Sequence, residues 1–214
     1  MRMRKKPNLI PRMQRCTEIQ VKVPEVMKGK WLLAYPNHKS LWLELGCGKG
    51  RFTAETAEAN PESLMVAVEK VPDAMVVAME RVFDKGLKNT HFIDADVKCL
   101  PNIFNENEVD RIFINFCDPW PKNKTAKNRL THPNFLKLYE SVLKPEGEIH
   151  FKTDNDPLFE YSLEMFEQEG WTLSEVTRDL HENGVVGVMT DYEAKFHEEG
   201  VKINRLVARK EAKA

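Results

Sequence analysis

The chain has no cysteine pair to work with. Its four cysteines, Cys16, Cys47, Cys99 and Cys117, are scattered and form no C-x-x-C. That argues against a metal site of the zinc type and against a disulfide framework, and it points to a reducing cytoplasm. No apolar run approaches the ~20 residues that cross a bilayer. The basic start, Met1-Arg2-Met3-Arg4-Lys5-Lys6-Pro7, has no apolar segment after it and does not read as a signal peptide. No internal repeat or low-complexity tract is visible. A net charge of −1 denies the molecule a global field for polyanions. What remains is a metal-free cytoplasmic protein with no membrane segment. Its 214 residues suffice for one core. The expected division is a basic N-terminal arm over 1–30 and a single domain over 31–214.

The most informative stretch is Leu41-Trp42-Leu43-Glu44-Leu45-Gly46-Cys47-Gly48-Lys49-Gly50. It reads as a buried strand, a glycine turn and then a helix. Glycines let backbone approach a ligand, and a helix N-terminus offers free N–H groups. The spacing Gly46-x-Gly48-x-Gly50 differs from the dinucleotide fingerprint, and Glu44 stands two residues before the first glycine. Glu-x-Gly-x-Gly-x-Gly resembles the first motif of S-adenosylmethionine (SAM) methyltransferases. A carboxylate there suits a cationic ligand and repels a phosphate. A ligand-free strand–helix turn is the competing reading. Leu64 to Val68 reads as a second strand closed by Glu69, about twenty residues past the turn, where an acid grips a ribose diol. That favours the cofactor reading.

Further strands are expected over His91–Asp96, Val109–Phe116, Glu148–Asp154, Trp171–Leu180 and Ile203–Arg209, the last two as an antiparallel pair. Helices are expected from Pro72 to Gly86, after Thr131 with Pro145-Glu146-Gly147 as its end before the fifth strand, and from Asp156. Strands alternating with helices predict a Rossmann-like α/β fold, a seven-stranded, mostly parallel sheet with helices on both faces. Asp96 ends the third strand. It either accepts from an adenine amino group or is a solvated acid or helix cap. Cys117-Asp118-Pro119-Trp120-Pro121 follows the fourth, and two prolines and a tryptophan hold Asp118 on a stiff turn. Lys122, Lys124, Lys127 and Arg129 come next with no acid before Glu140. This is either a solvated loop or, together with the basic arm, an electrostatic footprint for a phosphate backbone. Thr190-Asp191-Tyr192-Glu193 contains a Thr-x-x-Glu capping box, which is compatible with a binding role.

Taken together, the chain is similar over nearly its whole length to the bacterial tRNA (guanine-N7-)-methyltransferases. The resemblance rests on the basic start, Glu44 to Gly50, Asn115 to Lys122, Arg129-Leu130-Thr131, His150 to Asn155 and Thr190 to Glu193. Asp-Pro-Trp-Pro-Lys and Phe-Lys-Thr-Asp-Asn are the specific parts; the glycine motif is shared widely. One departure is a basic loop diluted by Asn123, Thr125 and Asn128.

The resemblance implies methyl transfer from SAM to N7 of guanine 46 in the tRNA variable loop. It implies that Glu44, Glu69, Asp96 and Asp118 meet the cofactor, beside the backbone of Gly46, Gly48 and Gly50; the position of Asp118 at a strand end makes it also the catalytic candidate. It implies that Lys122, Asp154, Thr190, Asp191, Tyr192 and Glu193 serve the guanine, and that Lys124, Lys127 and Arg129 meet RNA. Guanine N7 carries a lone pair and no proton, so in-line attack needs no general base. Two rivals stand: an amino-group methyltransferase, since Asp118-Pro119-Trp120 loosely matches an Asp-Pro-Pro-aromatic motif, and a non-catalytic RNA-binding protein on the same fold. Monomer and homodimer are both open.

Overall fold

The computed structural model describes residues 5–210. Seven strands form one sheet: β1 Ser40–Leu45, β2 Ser63–Glu69, β3 Thr90–Asp94, β4 Val109–Asn115, β5 Leu143–Thr153, β6 Thr172–Thr177 and β7 Asn204–Arg209. The helices are α1 Leu9–Arg15, α2 Trp31–Ala34, α3 Arg51–Ala59, α4 Pro72–Asp84, α5 Leu100–Ile103, α6 Pro133–Val142, α7 Asp156–Gln168 and α8 Asp191–Glu198. Strand order is β3-β2-β1-β4-β5-β7-β6. All neighbours are parallel except β7, which pairs antiparallel with both β5 and β6.

Alternation along β1 explains the layers. Leu41, Leu43 and Leu45 join a core with Ile112, Ile114, Tyr139, Phe159 and Phe166, from β4, α6 and α7. Trp42 and Glu44 face the other side, where Phe52 and Ala57 of α3 pack on Met65 and Phe113. Each fully buried apolar side chain contributes about 1.5–3 kcal/mol, so this two-faced burial sets the strand's register.

One expectation needs correction. Pro145-Glu146-Gly147 does not precede the fifth strand but lies inside it, because β5 starts at Leu143. The register shifts opposite Val109 and Arg111. A Cβ on Gly147 would sit 2.9 Å from the Lys144 carbonyl and 3.3 Å from that of Asp110, so glycine permits the irregularity. The basic arm is ordered against the domain where the structure describes it. Arg12 binds Glu80 through two nitrogens, at 2.7 and 2.5 Å, and Arg15 pairs with Asp84, which docks α1 on α4. Cys16 and Ile19 are buried, and the Val21 N–H donates to the Phe92 carbonyl at 2.9 Å. The arm's arginines are therefore neutralised locally. Arg2 and Arg4 lie outside the described residues.

Candidate functional site

Beyond β3 the chain crosses to β4 on the other side of β1, which makes a topological switch point between β1 and β4. Ligands of open α/β sheets bind at the carboxyl ends of strands beside such a point. Gly46 to Gly50, Glu69, Asp96, Asp118 and Asp154 all follow or end the parallel strands there.

Gly46, Gly48 and Gly50 adopt φ of 80°, 56° and 74°. That left-handed region favours glycine. A Cβ on Gly50 would lie 2.4 Å from that of Ala78, so this glycine lets the turn press against α4. Around Gly46 and Gly48 the space is open for 4 Å beyond a notional Cβ. The turn thus presents bare backbone to an open cradle, which leaves room for the amino-acid end of a cofactor such as SAM. Glu69 braces the cradle: its carboxylate accepts from the Gly48 N–H and the Val71 N–H, both at 3.0 Å. Each oxygen keeps a second lone pair for a diol. Asp96 is exposed and caps the turn Val97–Cys99 through the Lys98 N–H at 3.0 Å, so the cap half of its double reading is seen directly.

Glu44 does not stand in the cradle, contrary to expectation. It is 1% exposed, Thr53 donates to one oxygen, and the Asn115 side chain donates to the other at 3.3 Å. It ties the ends of β1 and β4 to α3 beneath the glycine turn. Burial pushes its pKa up to about 7, although the Thr53 and Asn115 hydrogen bonds pull the other way. A raised acid pKa means the folded protein keeps a proton that the unfolded chain has lost. Stability is therefore full below the ordinary glutamate range and falls as pH rises toward 7. Glu44→Gln should flatten the decline in melting temperature between pH 5 and 7. An unchanged pH slope in the variant would show that Glu44 is not the group responsible.

The Asp118 turn is strained and clamped. Phe116 has φ 53° and Trp120 φ 42°, a cost of about 1–3 kcal/mol for each such residue. The Phe116 N–H donates to the Lys152 carbonyl at 2.9 Å. Arg129 donates to the Pro119 carbonyl at 3.0 Å and to that of Trp120 at 3.1 and 3.3 Å, with its guanidinium 4.3 Å from the Tyr161 ring centre. This corrects its expected role: Arg129 locks the turn rather than standing free for RNA. Asp118 itself is exposed and makes no hydrogen bond or ion pair among the described residues. Beside it, burial pushes the Cys117 thiol up to about 12, with the Asp118 charge adding to the rise. Asp154, also exposed, follows the neighbouring strand end, since Asn115 and Lys152 are register partners. Lys122, Lys124 and Lys127 are exposed.

The segment Thr190 to Glu193 is mostly committed to structure. Thr190 caps α8 by accepting from the Glu193 N–H at 3.0 Å, and the Glu193 carboxylate accepts from the Thr190 N–H at 3.1 Å. Asp191 pairs with Arg81 of α4 at 3.0 Å. Glu193 is fully buried, with Lys152 at 2.6 Å and His181 at 3.1 Å. It cannot present a carboxylate to a base, so its substrate role is corrected to an anchor. Burial lowers the Lys152 pKa, and Glu193 opposes the shift. Only Tyr192 of the four is open, at 56% exposure. Asn115 and Lys152 stand in the sequence only as motif members without a role, and Thr53 and Arg81 carry no signal there. A lysine at an inward position of a buried strand was the one signal available for Lys152.

Comparison with known proteins follows the same lines. Residues 38–206 match a sequence family described as "Putative methyltransferase". A tRNA (guanine-N(7)-)-methyltransferase of Enterococcus faecalis is 42% identical over 214 residues, covering 100% of both chains. One from Geobacillus sp. is 43% identical over 206 residues, 96% of this chain and 94% of the relative. Among solved structures, the 16S rRNA methyltransferase KamB superposes with a TM-score of 0.61 at 17% identity, over 84% of this chain and 91% of that one. An antibiotic-related methyltransferase gives 0.60 at 16%, covering 84% and 92%. At such identities the structures speak for the methyltransferase fold alone. Among the described residues no cluster of His, Cys, Asp and Glu could hold a metal ion, and no helix is long and apolar enough to cross a membrane.

Proposed function

Because the chain belongs to the tRNA (guanine-N7-)-methyltransferase family, we propose that it methylates N7 of guanine 46 in the tRNA variable loop without a general base. The observation that carries the reading is an exposed, unpaired Asp118 on a clamped turn at the switch point. SAM, when bound, supplies a methyl group activated by its sulfonium. The cradle over Gly46 and Gly48 and the spare lone pairs of Glu69 would hold it. Asp96 flanks that cradle from the end of β3.

The residues of this chain have three tasks. They hold guanine so that N7 points at the methyl group, a positioning effect of about 7–11 kcal/mol at best. They shield the site edge, where Tyr192 is the open ring. They also stabilise the positive charge that the purine gains. Asp118 and Asp154 leave adjacent strand ends and carry the negative charge for this. As acceptors they also match the guanine N1–H and amino group. No proton leaves N7 before transfer, so no residue needs to remove one. The rate of a single turnover should therefore show no ionisation limb near neutral pH; a steep limb there would contradict a base-free step.

RNA binding falls to Lys124 and Lys127, while Lys122 serves the guanine. Neutralising Lys124 and Lys127 together should flatten the salt dependence of tRNA affinity by about 1.8 log–log units, from about 0.9 for each phosphate contact on duplex. SAM affinity should not move. An unchanged salt slope would reduce the loop to a solvated one. The protein is read as cytoplasmic, acting on tRNA as a monomer or homodimer.

A further inference from the structure

Phe116, Tyr192 and Phe196 lie at the strand ends and belong to none of the apolar cores. Their rings stand in a row. The ring centres of Phe116 and Phe196 are 6.2 Å apart and those of Phe196 and Tyr192 6.3 Å, with planes tilted by 43° and 31°. Phe116 and Phe196 are half-buried and Tyr192 is exposed. Tyr192 and Phe196 stand four residues apart on one face of α8. No guanidinium or ammonium lies over any of the three rings among the described residues.

The backbone holds this row where Asp118 and Asp154 stand. Alternation along β4 would send position 116 to the face of Ile112 and Ile114, which are core. The φ of 53° at Phe116 breaks that alternation, and its ring meets α8 instead. A phenylalanine in the left-handed region is an outlier, and such strain persists only where the surroundings hold it. Lys152 is the holder. Its carbonyl accepts from the Phe116 N–H at 2.9 Å, and its ammonium binds Glu193 of α8 at 2.6 Å. One strand end thus fixes both the Phe116 turn and the helix that carries the other two rings. Asp154 lies two residues past Lys152, and Asp118 two residues past Phe116. The two unpaired carboxylates and the three rings therefore share one edge of the sheet.

We propose that Phe116 and Phe196 form, with Tyr192, a stacking platform for the acceptor guanine, and that this platform holds the methylated, cationic purine more tightly than the neutral one. The inference rests on the N7 reading given above. Asp118 and Asp154 take the edge of the base, and the rings take its face. The N7–methyl bond forms as the sulfur–methyl bond breaks, and positive charge passes to the purine. The face of an aromatic ring is negative and attracts a cation. Attraction to the platform therefore grows along the reaction. An interaction that is stronger in the transition state than in the ground state raises kcat and does not merely lower KM.

The test has two arms, each run on the parent, Phe116→Leu, Phe116→Tyr and Phe196→Leu. In the first, 7-methylguanosine and guanosine are titrated with excess S-adenosylhomocysteine, at mildly acidic pH where the methylated purine is cationic. The parent should prefer 7-methylguanosine. Phe116→Leu should weaken its binding about 5- to 150-fold, the effect of one base–ring stack, and shrink the preference over guanosine. Phe116→Tyr restores a ring and should recover both. Phe196→Leu should act in the same direction from α8, with the strained turn untouched. In the second arm, Phe116→Leu should lower the single-turnover rate of tRNA methylation at saturating tRNA, with SAM affinity unmoved. Rings that only pack α8 on β4 would shift the melting temperature and leave the nucleoside preference as in the parent, and that result would overturn the platform. If the tRNA treated with the parent carries no 7-methylguanosine, the N7 reading fails and the first arm decides alone: a ring-dependent preference still supports the platform, and its absence overturns it.

Discussion

Asp118→Asn is expected to lower the single-turnover rate of tRNA methylation about 10²–10³-fold, roughly 3–4 kcal/mol of transition-state stabilisation. The argument is positional and electrostatic. Asp118 projects from a turn that pays backbone strain at Phe116 and Trp120 and is fastened by three hydrogen bonds from Arg129. A preorganised carboxylate can then face the purine as it becomes cationic. Asparagine keeps the size and one acceptor, but it loses the charge and turns an amino group toward guanine's own donors. Because Asp118 is exposed and unpaired, the variant should fold normally, with stability within about 0.5 kcal/mol of the parent. A near-parental rate in a folded Asn variant would make Asp118 a turn former, and the charge-stabilising role would pass to Asp154.

Glu193→Ala is expected to be among the most destabilising single changes in the chain. It strands the Lys152 ammonium, 7% exposed, with only the Val188 carbonyl at 3.1 Å. It also removes the acceptor of the His181 ring and half of the α8 capping box. Breaking a buried pair in this way costs about 3–5 kcal/mol. At about 2–4 °C per kcal/mol for a chain of this size, the melting temperature should fall by roughly 6–20 °C. Lys152→Met combined with Glu193→Leu should cost much less than the two single changes added together, because no charge is then left buried. Urea titration of the cycle gives the answer. A loss below about 1 kcal/mol for Glu193→Ala would mean that water reaches Lys152 and that the anchor is not buried in solution.

The contrast between these residues shows what the chain discloses before folding. β1 and its glycine turn were legible because every local signal agreed: alternating apolar residues, glycines needing positive φ, and a helix pattern behind them. The strand-end acids were legible because position along an alternating α/β pattern is a local property. Glu193 was legible only as a capping box. Its partners, Lys152 and His181, lie 41 and 12 residues away, and no local pattern reports them. Arg129 looked like one more cation in a basic loop, although its guanidinium folds back ten residues to the Pro119 carbonyl. Pro145 to Gly147 looked like punctuation because proline and glycine usually are; here they form an irregularity inside β5. Glu44 was placed correctly along the chain but one layer too high, since motif spacing does not say which way a side chain at a strand end points.

The measurement closest to the central claim is mass-spectrometric mapping of tRNA incubated with the protein and SAM. The account predicts one added methyl group, carried as 7-methylguanosine at position 46, and no product when guanine 46 is replaced by 7-deazaguanine, which keeps the ring but lacks the accepting nitrogen. A methyl group on an exocyclic amine, or transfer that persists on the 7-deaza substrate, would contradict it.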